Sequence, residues 1–325
     1  MPVPKFLVLR FSSIGDIVLT SPVVRCLKQQ VKGAEVHYFT KRGFAPLVEH
    51  NPWIDKRFYL DEDLSTSIEA LKKEKYDAVI DLHHNLRTFR IKSALGVKSH
   101  SFNKLNFEKW LMVNFKINQL PPLHIVDRYM ETIKPFGVLN DGKGLEVFIS
   151  QEDSMAYLSL PQKFQNGYTG FVIGAKHFTK RLPLEKMIAI CSGLAHPVVL
   201  LGGPEDAAGG ERIIAGLPAG RKELVYNSCG KFSINQSAGL VKHALKIITH
   251  DTGLMHIAAA FKKEIISIWG NTIPEFGMYP YYGNASVKST MLEVKNLSCR
   301  PCTKIGYDHC PKKHFRCMND IELII

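Results

Sequence analysis

The sequence predicts two doubly wound α/β domains, and three observations carry that expectation. Strand-like and helix-like patterns alternate along the 325-residue chain. Polar, glycine-bearing turns follow several of the strand runs, and a polar stretch near residues 162–168 divides the alternation into two sets. Repeated βα alternation builds parallel sheets covered by helices on both faces. The length suffices for two cores of ordinary size, which places the domains at residues 1–160 and 165–325, facing across a cleft.

In the first set, residues 5–11, 35–39, 57–60, 78–82 and 99–102 read as strands. The clearest helices there are 23–31, 67–75 and 104–115, with one more over 123–136 closed by Gly137. The second set repeats the order, with strands at 169–173, 198–201, 224–226, 245–249 and 265–269. Its helices are 184–194, 206–217, 234–241 and the segment after Gly253.

Charge narrows the partners. Lys and Arg total 42 against 30 acids, a net charge of +12. Such a surplus suits a phosphorylated substrate, a nucleic acid or an anionic membrane surface. The basic residues are dispersed rather than blocked, which argues against nucleic acid. No apolar run approaches the roughly 20 residues that span a bilayer. The opening Lys5-Phe6-Leu7-Val8-Leu9-Arg10 is too short and too charged for a signal peptide, so a cytoplasmic address is expected.

The turns carry the candidate chemistry. His250-Asp251-Thr252-Gly253-Leu254-Met255-His256 lies where a buried strand hands over to a helix. Unpaired N–H groups at such a helix start attract phosphate, although Asp251 or Thr252 also reads as a simple N-cap. The first strand ends in Ser12-Ser13-Ile14-Gly15-Asp16, where Asp16 is either a helix cap or a general base. This turn lacks both the GxGxxG and the GxxxxGK[ST] patterns, so neither a dinucleotide loop nor a P-loop is supported. Lys176, Lys180 and Arg181 cluster after the strand at 169–173, as an anion clamp or a solvated basic loop. Gly202-Gly203-Pro204-Glu205-Asp206 offers glycines for close ligand approach and acids for ribose hydroxyls. His83 and His84 do not make a metal site, because neighbours on an extended strand point to opposite faces.

In this order and spacing, the S-x-x-G-D turn, K-R-L-P, L-G-G-P-E and D-T-G-L-M-H-I-A-A-A resemble glycosyltransferase family 9, the heptosyltransferases of lipopolysaccharide core synthesis. The resemblance runs over most of the chain and implies a GT-B architecture, with an N-terminal acceptor domain and a C-terminal nucleotide-sugar domain. It implies inverting transfer of a heptose-like sugar from an ADP-sugar to an anionic lipopolysaccharide-core acceptor, by an enzyme peripheral to the inner membrane. By the same resemblance Asp16 is the base and Lys180 neutralises the departing diphosphate. Lys176, Asp251, Thr252, Gly253, Leu254 and His256 hold the donor, and Glu205 holds its ribose. Ser13, Gly15, Asn85 and Arg87 fall on the acceptor side. No cofactor is required for such a reaction, since a lysine and a helix dipole can supply the positive charge. Two departures concern the donor sugar: Leu182 stands where the family often has Trp, which alters the pocket wall, and Trp269-Gly270-Asn271-Thr272-Ile273-Pro274 replaces Y-G-P-T-x-P. Another GT-B transferase, a sugar-nucleotide epimerase and a non-catalytic sugar-nucleotide-binding module remain alternatives.

Four of the seven cysteines cluster at Cys299, Cys302, Cys310 and Cys317. Their C-x-x-C start fits a structural zinc site, with disulfides and free thiols as the other readings. The last interval is longer than ordinary ligand spacing, and the C-P-x-x-H-x-x-C-M tail also resembles family members.

Overall fold

The computed structural model describes residues 3–60 and 63–323, which form two α/β units. Unit one comprises Met1–Lys104, Leu123–Phe148 and Tyr281–Ala285. Unit two comprises Leu105–Pro122, Ile149–Pro280 and Ser286–Ile325. Each is built on an all-parallel sheet, in keeping with the GT-B class. Unit one holds β1 (Lys5–Leu9), β2 (Glu35–Lys41), β3 (Lys56–Leu60), β4 (Ala78–Asp81) and β5 (Lys98–Ser101), in the order β3-β2-β1-β4-β5. Unit two holds β6 (Thr169–Val172), β7 (Val198–Leu201), β8 (Val225–Asn227), β9 (Lys246–His250), β10 (Glu264–Trp269) and β11 (Ser289–Glu293), in the order β11-β10-β9-β6-β7-β8. Central strands are apolar along their length because helices cover both faces. Leu7 of β1, for example, lies between His37 and Val79 in register and is fully buried.

The helices are α1 (Ile14–Val18), α2 (Ser21–Gln30), α3 (Leu64–Lys72), α4 (Leu86–Leu95), α5 (Asn106–Phe115), α6 (Ile125–Met130), α7 (Gln151–Ser154), α8 (Gln162–Gln165), α9 (Leu184–Gly193), α10 (Ala207–Ala215), α11 (Ala219–Lys222), α12 (Ile234–His243), α13 (Gly253–Ala260) and α14 (Arg316–Asn319). All ten expected strands are present, each within two residues of its expected ends. The eleventh, β11, was not expected: it is a half-exposed edge strand without an apolar run. α3 starts three residues earlier than the periodicity suggests, because the Asp63 carboxylate accepts the Ser65 and Thr66 N–H groups at 2.9 and 3.0 Å. The Thr66 hydroxyl, which donates to the same carboxylate at 2.6 Å, and these two N–H groups favour the charged form and hold its pKa down at about 2. The helix expected over 123–136 is broken into α6 and a 3₁₀ turn, Lys134–Phe136, since Pro135 lacks the N–H a continuous helix needs.

The division of the chain also differs from the expected boundary near residue 160. Unit two begins at Ile149, because the short α7 depends on α12 for its packing. A Cβ at Gly239 would lie 2.0 Å from the Asp153 carbonyl, so only glycine permits this approach. Lys242 Nζ donates to Ser154 Oγ at 2.9 Å, and the Tyr157 and His243 rings stack at 3.8 Å. α5 likewise belongs to unit two, where the Lys116 ammonium donates to the Pro301 carbonyl at 2.7 Å.

Each unit has its own core. In unit one Leu7, Leu9, Phe11, Phe39, Val79 and Ile91 pack together. In unit two Phe171, Leu200, Ile248 and Ile268 are joined by Cys317 and Met318 of α14. Among the described residues no helix is long and apolar enough to cross a membrane.

Candidate active site

In each sheet the chain order reverses between two neighbouring strands, β1 and β4 in unit one, β6 and β9 in unit two. Crevices outside the carboxyl ends of strands at such reversals are where open α/β sheets bind ligands. The loops leaving these four strands carry most of the residues singled out from the sequence.

In unit one, Asp16 lies in the first turn of α1, directly after β1. Its Oδ1 pairs with the Arg10 guanidinium at 2.7 Å, and its Oδ2 accepts the Ser13 hydroxyl at 2.8 Å and the Ser13 N–H at 3.2 Å. Asp16 therefore closes the helix start, as the capping reading expects, yet 19% of its side chain stays accessible. Arg10 is the buried hub of the turn. It donates to Ser12 O at 2.7 Å, to the Tyr129 hydroxyl at 2.9 Å and to the Leu82 carbonyl at the end of β4. Burial works against its charge, but the Asp16 carboxylate outweighs that and holds the guanidinium pKa above its ordinary value. Gly15 is buried in the same turn.

After β4, the fully buried Asp81 shapes the second loop. Its carboxylate pairs with Lys92 at 2.8 Å and accepts the His83 and His84 N–H groups. Burial alone would raise the Asp81 pKa; Lys92 and the His84 N–H outweigh it and hold it below the usual range. The two histidines lie in this turn rather than on a strand, and His84 has φ +50°. Asn85 caps α4, its Oδ1 accepting the Thr88 N–H at 3.0 Å. The exposed Arg87 lays its guanidinium over the Phe11 ring at 5.6 Å. Asn85 and Arg87 line a cavity of about 570 Å³ together with Leu60, Asp63, Leu64 and Arg90. Arg90 was not singled out in the sequence, although it lies one helical turn from Arg87.

In unit two, the loops after β6 and β9 meet. Lys180 Nζ contacts Asp251 Oδ2 at 2.6 Å and the Asp251 carbonyl at 3.3 Å. The Thr272 hydroxyl, from the turn after β10, donates to the same Oδ2 at 3.0 Å. Thr252 is the N-cap residue of α13, but its side chain makes no cap bond; it lies 3.3 Å from the Thr249 hydroxyl instead. The start of α13, with Gly253 and Leu254, is thus left without a side-chain cap. A helix N-terminus beside a lysine is suited to an anion. His256 is buried in the next turn of α13, at 2% exposure, away from direct solvent reach. Lys176 is exposed on the loop after β6.

Two neighbouring acids separate by role. Asp206 is buried and bound to the Gly203 N–H at 3.0 Å and to Arg181 at 3.3 Å. A Cβ at Gly174, two residues beyond β6, would come 1.9 Å from its Oδ2, so any larger residue there would have to displace this carboxylate. Glu205 is exposed, next to Gly203. Leu182 is not a pocket wall, contrary to expectation: it is buried in the core of unit two, and its N–H donates to His250 Nε2 at 3.0 Å. A smaller apolar side chain fits that interior site without reaching the surface.

The turn after β10 contains features the sequence did not reveal. The buried Arg300 donates to the carbonyls of Trp269, Gly270 and Thr272 and pairs with Glu293. Asn271, at 1% exposure, has neither side-chain polar atom hydrogen-bonded. Tyr307 is tied to Thr179, its N–H donating to Thr179 Oγ1 at 2.8 Å, one residue before Lys180. The cysteine-rich segment thus braces both edges of the Lys180–Asp251–Thr272 cluster.

The cysteines themselves are all free. Cys299 Sγ lies 3.8 Å from His314 Nε2, while Cys302 Sγ turns to the Cys299 carbonyl at 3.1 Å. Among the described residues, the ligand-type side chains brought mutually within 4.8 Å are Glu35, His37 and Glu74, not the cysteines. The four tail sulfurs do not all come that close, although Cys317, packed in the core beside Met318, still interacts electrostatically with Cys302, Cys299 and Cys310. The Glu35–His37–Glu74 trio is an ion-pair network, with the Lys5 ammonium 3.3 and 3.2 Å from its two carboxylates.

A family model described as glycosyltransferase family 9 (heptosyltransferase) matches residues 66–309, well over half of the chain. The chain belongs to glycosyltransferase family 9. As such it is a glycosyltransferase, and its relatives are heptosyltransferases. Lipooligosaccharide heptosyltransferase 2 of Haemophilus influenzae is 24% identical over 331 residues, 94% of each chain. Among solved structures, a family 9 glycosyltransferase from Veillonella parvula superposes with a TM-score of 0.72 at 23% identity, covering 89% of this chain and 87% of the other. The E. coli ADP-heptose lipopolysaccharide heptosyltransferase II superposes with a TM-score of 0.70 at 20% identity, covering 97% and 98%.

Proposed function

We propose that this family 9 glycosyltransferase moves a heptose-like sugar from an ADP-sugar to an anionic lipopolysaccharide-core acceptor, with inversion at the anomeric carbon. One observation carries the reading: Lys180, Asp251 and Thr272 converge beside the uncapped start of α13. A departing nucleoside diphosphate needs positive charge, and the ammonium with the α13 N–H groups supplies it where a divalent cation would otherwise serve. Thr252, Gly253 and Leu254 address the diphosphate through the helix start, with Lys176 and Asp251 beside it. His256 supports this turn from within. Glu205 is the ribose acid, since Asp206 is already committed to Gly203 and Arg181.

In unit one, Asp16 receives the acceptor's hydroxyl proton as that oxygen bonds the anomeric carbon and the bond to the diphosphate breaks. Arg10 and Ser13 fix the carboxylate's direction. Arg87, with Asn85, Ser13 and Gly15 nearby in the loops, holds anionic groups of the acceptor. The enzyme works on the cytoplasmic face of the inner membrane, where a lipid-borne acceptor and a basic protein meet.

The test is ADP release from ADP-heptose in the presence of a deacylated core acceptor. Product and ADP are expected in equal amounts. Release without a glycosylated product, or thermal stabilisation by UDP-sugars in place of ADP-sugars, would overturn the assignment.

A further inference from the structure

We infer that α5 is an interfacial anchor whose outward aromatic stripe seats the protein on an anionic lipid bilayer. α5 is ten residues long and contains no buried residue. Phe107 is 63% exposed, Trp110 51% and Phe115 59%, with Ile117 at 49% just beyond the helix. Phe107, Trp110, Leu111 and Phe115 recur at the i, i+3, i+4, i+8 spacing that normally turns one helix face into a core. Here Leu111 is half-buried, while the three rings of that face stay exposed. The rings cover one another, Phe107 stacked on Trp110 at 6.2 Å and Phe115 edge-on to Trp110 at 5.2 Å.

The helix is held to unit two from another side. The Lys109 ammonium lies 5.9 Å from the Phe276 ring, and Lys116 donates to the Pro301 carbonyl. The aromatic stripe is therefore presented outward by an anchored helix.

Charge selects the occupant. Between residues 104 and 123 stand Lys104, Lys109 and Lys116 against Glu108 alone, in a chain of net charge +12. Aromatic side chains favour the bilayer interface, and lysines reach its anionic headgroups. A second copy of the chain is disfavoured as occupant, since pairing the stripe with itself would gather like-charged lysines. The inference rests on the proposed lipid-borne acceptor, and it names the element that brings the enzyme to that lipid.

Vesicle flotation of the full-length protein tests it, using phosphatidylglycerol in phosphatidylethanolamine against phosphatidylcholine alone. The wild type is expected to float with the anionic vesicles, less so at high salt, with a blue shift of tryptophan emission. The combined variant Phe107→Ser, Trp110→Ser, Phe115→Ser is expected to bind at least about tenfold more weakly with an unchanged melting temperature. Trp110→Phe is expected to keep vesicle binding and lose most of the blue shift. Equal vesicle binding by the triple variant, no binding by the wild type, or a dimer in light scattering that the triple variant abolishes would each overturn the inference. ADP release with the deacylated acceptor is read separately. A protein that transfers sugar but ignores vesicles loses only this anchor, whereas one that binds vesicles without transfer loses only the assigned activity.

Discussion

The Lys180 ammonium contacts Asp251 Oδ2 at 2.6 Å, and that same oxygen accepts the Thr272 hydroxyl at 3.0 Å. Three loops from β6, β9 and β10 are thus pinned at one carboxylate. A lysine held this way is oriented before any anion arrives, so little side-chain entropy remains to be lost on binding.

If this lysine stabilises the leaving diphosphate, Lys180→Ala should lower kcat/KM for the donor by about 10²- to 10³-fold. Asp251→Asn should leave the lysine in place without its orienting charge and cost less. Thr272→Val should cost least, since it removes one neutral donor. Steady-state kinetics with varied donor read the order. Equal activity of Lys180→Ala and wild type would exclude the role.

Asp16→Asn keeps the shape of the β1 turn and removes the proton acceptor. It should slow transfer by on the order of 10²-fold or more while leaving thermal stabilisation by the donor unchanged. Arg10→Met should behave differently, because it strands the Asp16 carboxylate and releases the Leu82 carbonyl. A large fall in melting temperature accompanies that loss, as when one member of a buried pair is removed. An epimerase, which needs no base for an incoming hydroxyl, would retain substantial activity in Asp16→Asn.

The sequence made the βα alternation legible because buried parallel strands such as β7, Val198–Leu201, are unbroken apolar runs between polar turns. It also placed Asp16, Lys180 and Asp251 on those turns. What it missed arises from contacts between distant segments. Nothing local marks Arg300 as the holder of the turn after β10, 28 to 31 residues upstream. Nor does local pattern separate Asp206, buried against Gly174, from Glu205 beside it. α7 was invisible for a similar reason, since its stability comes from Gly239 on α12.

Asn271 stands in the turn that Arg300 braces, where the family pattern has proline. A buried amide without partners is costly, so replacing it with an apolar residue should stabilise the fold. Asn271→Leu is expected to raise the melting temperature. If the amide serves the donor, the same variant should raise the donor KM about tenfold or more, the scale of one lost hydrogen bond in a dry site. A raised melting temperature with unchanged KM would make the residue purely structural.

The thiols should divide by burial. Cys26, Cys191, Cys229 and Cys317 are buried, whereas Cys299, Cys302 and Cys310 are partly accessible. Burial first, and then the nearby Cys299 and Cys310 sulfurs, push the Cys302 thiol up to about 11, which should slow its reaction. A colorimetric thiol reagent on native protein should therefore titrate two cysteines quickly and a third slowly, with the remainder released by denaturant. Protection of all four tail cysteines, with zinc in elemental analysis, would show that the tail closes around a metal after all.

His83 and His250 are both pushed down to about 4, in each case first by burial. Arg10 and Lys104 add repulsion at His83, and Arg181 does so at His250. In the unfolded chain both imidazoles return to an ordinary pKa of about 6.5. Below that pH the unfolded state binds protons that the folded state refuses, so stability is fully present above about pH 6.5 and falls as the pH drops towards 4. The slope from the fully buried His250 approaches about 1.4 kcal/mol per pH unit within that window. Asp81, held below the usual carboxylate range, loses its contribution only at still lower pH. Melting temperatures measured between pH 8 and 4.5 should be flat at first and then decline below pH 6.5. His83→Asn should make that decline shallower. Imidazole resonances of His83 and His250 titrating near pH 6.5 in the folded protein would contradict this account.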